Sequence, residues 1–125
     1  MGKAQPKILS VGQCGFDGPN IRRMLEEKLG AQVDSADSLE ETQQMLQEQA
    51  YSLVLVNREL HQDGSSGIEL IGQIAPTANA PVMLVSNYDD AQQQAQAKGA
   101  IRGFGKAALH DEATLELLRS VIGQG

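Results

Sequence analysis

The chain has 125 residues, 41% hydrophobic and 21% charged, enough for one core and too few for two. Ten Lys and Arg against sixteen Asp and Glu give a formal charge of -6, which argues against a surface built to neutralise nucleic-acid phosphates. With only Phe16, Phe104, Tyr51 and Tyr88 aromatic, stacking platforms for single strands are missing as well.

The lone cysteine, Cys14, has no internal disulfide partner, and no Cys/His spacing matches a zinc site, so a reducing, cytoplasmic setting is expected. No apolar run approaches the length of a membrane span, so no membrane association is expected. The whole chain, 1–125, reads as one domain.

In chain order, Lys7-Ile8-Leu9-Ser10-Val11 is short, partly β-branched and stopped by Gly12, which predicts a first buried strand. Pro19 suits a first helical turn, and Ile21, Met24, Leu25 and Leu29 recur at helical spacing up to Gly30. Arg22 and Glu26 are spaced for an i,i+4 ion pair on the outer face of that helix. Residues 31–35 form a weaker second strand, and Ser38 with Glu41 makes a capping box for the second helix. Tyr51 to Val56 is apolar on both faces and predicts a central strand. A loop from Asn57 to Ser66 leads to a helix bearing Ile68, Leu70, Ile71 and Ile74. Pro81 to Ser86 is a fourth strand, Asp89 to Lys98 a fourth helix, and Ile101 to Gly105 a short fifth strand. Gln92-Gln93-Gln94 reads as a solvated helix face, and Leu115, Leu118 and Ile122 mark a closing helix after His110-Asp111.

Five alternations of strand and helix predict a doubly wound α/β domain, a parallel five-stranded sheet with helices on both faces. Ligands and functional residues in such domains gather at the carboxyl edge of the strands. That edge holds Gly12 to Asp17, Asn57 to Asp63, Ser86 to Tyr88, and Lys106.

These residues, the length and the five βα units resemble the receiver domains of two-component response regulators over essentially the whole chain, with CheY-like, flavodoxin-like topology. The resemblance implies a stand-alone signal-transduction domain and aligns Asn57 with the phospho-accepting Asp of a phosphorelay. It aligns Gly12 and Gln13 with the acidic pair that holds a divalent metal, and Gly103 with the aromatic switch position. Ser86 and Lys106 stand where the family has its Ser/Thr and Lys, while Ala107 replaces the following Pro. The chain is therefore identified as a pseudo-receiver. An amide at Asn57 is a poor nucleophile, and Gly12 and Gln13 offer Mg²⁺ no carboxylate, so neither phosphoryl transfer nor Mg²⁺ binding is expected. Glu59 is the nearest substitute ligand and Asp17 a more remote one; for Lys106 the expected partners are Asn57, Glu59 or a bound anion. Ser86 is expected to meet such an anion or to cap the following helix.

The leading expectation is thus a non-enzymatic module acting through protein contacts. The resemblance points to the face from Asp89 to Gly123, for a signalling protein or a second copy, and Leu117 and Val121 widen the apolar stripe of the last helix there. A different class is a small anion- or nucleotide-binding module. The loop Gly12 to Gly18 lies between a strand and a helix N-terminus, with Asp34 or Asp37 placed to imitate a ribose-binding acid. A third class would pair Cys14 with His61 as thiol and base.

Overall fold

The computed structural model describes residues 5–123. In chain order it runs β1 (Lys7–Val11), α1 (Asp17–Leu29), β2 (Gln32–Ala36), α2 (Leu39–Glu48), β3 (Leu53–Asn57), α3 (Gly67–Ile74), β4 (Val82–Val85), α4 (Asp89–Ala97), β5 (Ile101–Phe104) and α5 (Glu112–Ile122), with one 3-10 turn at Lys106–Ala108. The five strands are parallel in the order β2-β1-β3-β4-β5. The expected doubly wound architecture is therefore present, with β3 at its centre.

Strand alternation divides the core. Leu9, Val11, Val54, Val56, Val82 and Leu84 pack with Leu70, Ile71 and Ile74 of α3 and Ala91 and Ala95 of α4. Ile8, Leu53, Leu55, Met83 and Val85 face the other way, onto Ile21, Met24, Leu25 and Leu29 of α1 and Leu115 and Leu118 of α5. Leu117, Val121 and Ile122 pack against this second cluster from its margin, so the wide stripe on α5 is largely spent on the core.

Local chemistry sets the helix ends. The Ser38 hydroxyl accepts from Glu41 N at 3.1 Å, while the Glu41 carboxylate accepts from Asp37 N at 2.7 Å, and Ser66 caps α3 through Glu69 N at 3.2 Å. Two side-chain expectations are corrected. Arg22 does not close on Glu26 but donates to the Ser35 hydroxyl at 2.9 Å, because α1 lies against β2 and a fixed acceptor there outcompetes a solvated i,i+4 partner. Gln92 is not part of a solvated face: it is 3% exposed, while Gln93 and Gln94 remain outside.

Candidate functional site

At the carboxyl edge, β1 ends in Gly12, whose φ of +73° suits glycine, and a Cβ added there would collide with the Leu60 side chain. His61 N donates to Gly12 O at 3.0 Å, so the β1–α1 and β3–α3 connections are fastened together above the sheet. The long β3–α3 loop folds as a small antiparallel clip. Glu59 bridges Ser66, Leu60 N donates to Ser65 O at 2.9 Å, and Gly67 N donates to Arg58 O at 2.7 Å. Asp63 turns its tip by accepting from Ser65 N and Oγ at 2.9 and 2.7 Å, bonds that hold its carboxyl below its ordinary range. The clip drives Leu60, 2% exposed, into the core beside Gly12.

Asn57 closes β3, and its Nδ2 donates to Glu59 O at 2.6 Å. Ser86 follows β4; its hydroxyl accepts from Tyr88 N at 3.2 Å, forming a turn before α4 rather than capping that helix, whose N-cap is Tyr88. Asn87 Oδ1 accepts from Ala107 N at 3.0 Å and ties the loops after β4 and β5 together. Lys106 does not reach Asn57 or Glu59. Its Nζ lies 2.7 Å from the Asp17 carboxylate, at the first residue of α1, and that ammonium above all holds the Asp17 carboxyl below its ordinary range. Cys14 supports the same carboxylate, its thiol donating to it at 3.3 Å while Asp17 N donates to the sulfur at 3.2 Å. Glu59 pairs instead with Arg58 at 3.5 Å, and Arg58 lies 5.3 Å from the centre of the Tyr88 ring.

An open cleft of about 450 Å³ has Asn57, Arg58, Glu59, His61, Ser86, Tyr88 and Lys106 on its walls. Among the described residues, no group of three or more His, Cys, Asp or Glu is arranged to hold a metal ion. A comparison with protein families matches residues 19–107 to the response regulator receiver domain. The chain belongs to that family.

Solved structures similar to this receiver include a two-component response regulator from Clostridium difficile (23% identity, TM-score 0.79, covering 96% of this chain and 98% of that one). The signal receiver domain of an HD domain-containing protein from Pseudomonas fluorescens Pf-5 matches at 20% identity and TM-score 0.82, over 98% of this chain and 90% of that one. A putative response regulator from Chloroflexus aurantiacus matches at 16% identity and TM-score 0.82, over 95% and 98%. At these identities the likeness is one of fold. No curated protein matches the sequence.

The receiver gathers Asn57, Glu59, Ser86 and Lys106 around one cleft, as the edge rule required. It sends others elsewhere. Gln13 and Cys14 line a second cavity on the far side of β1, so Cys14 and His61 do not share a site. Gly103 sits in an irregularity of the β4–β5 ladder, where Met83 pairs with Ile101 and Val85 with Phe104. There its backbone passes so close to Leu84 O that a Cβ has no room. Gly103 N donates to Gln92 Oε1 at 3.0 Å, while Gln92 Nε2 donates to Leu84 O at 2.9 Å and Ser86 O at 3.1 Å. Leu60 and Asn87 lie within the edge segments expected from the sequence, whereas Gln92, expected on a solvated face, lies outside them. A polar residue within the otherwise Ala-rich inner stripe of α4, with Ala91 and Ala95, was the one local signal for Gln92.

Proposed function

We propose that this receiver signals without phosphoryl transfer, as a non-enzymatic cytoplasmic domain read by a protein partner. The observation that carries the reading is Asn57. An amide stands at the carboxyl end of the central strand, and it is spent on the Glu59 carbonyl. Its lone pair is delocalised, and no carboxylate oxygen is present there to accept a phosphoryl group.

The residues around it do not suit Mg²⁺ either. Gly12 and Gln13 bring no carboxylate, Leu60 fills the space over Gly12, and Asp17 is engaged by Lys106. A hard cation that wants several oxygen ligands finds no such set, so no step is derived through a metal. The Lys106 charge is already neutralised at 2.7 Å without any phosphoryl group. What is left for signalling is surface. Phe16 and Tyr88, 76% and 60% exposed, stand in the β1–α1 and β4–α4 connections, and the face from Asp89 to Gly123 adjoins the second of them. A protein partner that covers exposed aromatics at this edge is the reading these residues support.

The test is amide NMR during addition of Mg²⁺ and then beryllofluoride. The expected result is no saturable shift at Asn57, Ser86 or Lys106. Saturable shifts there, lost in Lys106→Ala, would overturn the reading and restore an ion-dependent switch.

A further inference from the structure

Where β5 runs beside β4, Met83 pairs with Ile101 and Val85 with Phe104, so β4 sets one residue, Leu84, against two of β5, Arg102 and Gly103. An extra residue of this kind leaves a backbone group without its ladder partner. Gly103 N is such a group, and its acceptor comes from a helix: Gln92 Oε1 of α4, at 3.0 Å. The other end of the same carboxamide donates to Leu84 O at 2.9 Å and to Ser86 O at 3.1 Å. One side chain of α4 therefore spends its acceptor on β5 and its donor end on β4 and the residue after it.

The surroundings hold that side chain in place. Gln92 is buried, and Ala91 and Ala95 share the buried stripe of α4 with it, so no bulky neighbour props the helix off the sheet. A Cβ at Gly103 would strike Leu84 O, and one at Gly105 would strike the Asn87 side chain, so β5 and the turn after it lie flush against β4 and its loop. Ser86 N donates to Phe104 O at 3.0 Å and Ala107 N to Asn87 Oδ1 at 3.0 Å, which fasten the same two connections further out. The Arg102–Asp89 pair, 2.8 Å apart, also spans α4 and β5, but both partners are more than half exposed and it adds little. A shift or rotation of α4 would break the three Gln92 bonds together and leave the buried Gly103 N–H without an acceptor. We propose that Gln92 straps α4 to β4 and β5 in a single arrangement, so that the surface of α4 and β5 stands preformed and a partner docks on it without any movement of α4. A protein that visits a second arrangement keeps it at about 0.1–10% and exposes only a fraction of its molecules to a partner; here the whole population is competent. The docking consequence rests on the reading that a protein partner covers this edge, whereas the strap does not.

The experiment follows amide hydrogen exchange and millisecond relaxation dispersion on the ¹⁵N-labelled full chain. It is run without Mg²⁺ or beryllofluoride, so its outcome is separate from that of the ion titration. In the parent, the protection of the Gly103 amide lies within about tenfold of that of the β3 amides, and residues 84–106 show flat dispersion profiles. Gln92→Met keeps an apolar side chain of similar length and removes all three bonds. It lowers the protection of Gly103 relative to β3 by about a further tenfold or more, as expected for an amide that loses its one acceptor. Taking the ratio to β3 cancels any loss of global stability, which lowers both values alike. Protection of Gly103 more than about tenfold below β3 in the parent would mean that α4 lifts locally, and that outcome overturns the proposal. Millisecond exchange across residues 84–106 would reveal a second arrangement and overturns it as well. So does an unchanged ratio in Gln92→Met, which would give the strap to other contacts. The two parent measurements decide the matter even where Gln92→Met does not fold.

Discussion

Replacement of Gln92 by leucine removes a side chain that hydrogen-bonds α4 to β4, to the residue after it and to β5. The change leaves an apolar side chain of comparable bulk, one atom shorter, and removes three hydrogen bonds of 2.9 to 3.1 Å at a position 3% exposed. Gly103 N is the costly loss: an irregular ladder gives it no strand acceptor, and an orphaned buried N–H costs about 1–3 kcal/mol. The carbonyls of Leu84 and Ser86 lose less, since a carbonyl oxygen has a second lone pair. The two carbonyls together add about 1 kcal/mol of loss and added apolar burial returns about the same, leaving a net loss of about 2 kcal/mol. In a chain of 125 residues that lowers the melting temperature by roughly 10 °C. Urea unfolding followed by circular dichroism measures the first quantity and a thermal scan the second. Gln92→Glu sharpens the test, because burying a carboxylate there should destabilise more at pH 7 than at pH 5, where protonation relieves it. A Gln92→Leu stability within about 0.5 kcal/mol of the parent would refute the reasoning, since that is the behaviour of a solvated helix residue.

Gly12→Asp should cost about 2–5 kcal/mol by chemical denaturation, from the φ of +73° and the collision with Leu60. Combining it with Leu60→Ala should cost at least about 1 kcal/mol less than the two changes added, and strict additivity would count against the collision. For Lys106→Met, the half-exposed pair with Asp17 limits the loss to about 1 kcal/mol after solvent screening. Because the folded Asp17 carboxyl is held below its ordinary value of 3.8, that difference is fully present above this value and fades as pH falls below it. Urea melts of the two proteins from pH 7 to pH 3 check the sign.

The fold was legible because its signals are repetitive. Runs such as Leu53 to Val56 are apolar on both faces, which only a covered central strand explains, and observed strand ends lie within two residues of those expected. The edge rule put Asn57, Glu59, Ser86 and Lys106 along one sheet edge, and the resemblance to receivers put Ser86 and Lys106 in one pocket; all four line the same cleft. Partners were less legible. For Arg22 the local candidate was Glu26, a pairing of weak worth, and only the packing of α1 on β2 selects Ser35. Lys106 meets Asp17 across nearly ninety residues, a choice made by tertiary geometry. Gln92 differs from Gln93 and Gln94 only by its place in the stripe of Ala91 and Ala95, and the Gly103 amide that its side chain meets is announced by no local pattern.

These partner choices bear on one another. Without a carboxylate pair after β1, the Lys106 ammonium would face the cleft uncompensated, and Asp17 on α1 now supplies the counter-charge from a different element. The space beside Gly12 is likewise closed by Leu60, held down by the clip of the longer β3–α3 loop. At Gly103 the backbone itself approaches Leu84 O, and Gln92 fastens it from α4. Each contact depends on others from distant parts of the chain, so reinstating one expected residue means displacing a packed neighbour. A change at Asn57 alone would give the cleft a carboxylate while leaving Leu60 over Gly12 and Lys106 on Asp17. On the function proposed above, Asn57→Asp by itself is therefore expected to supply an acceptor oxygen without the cation site that phosphoryl transfer to it requires.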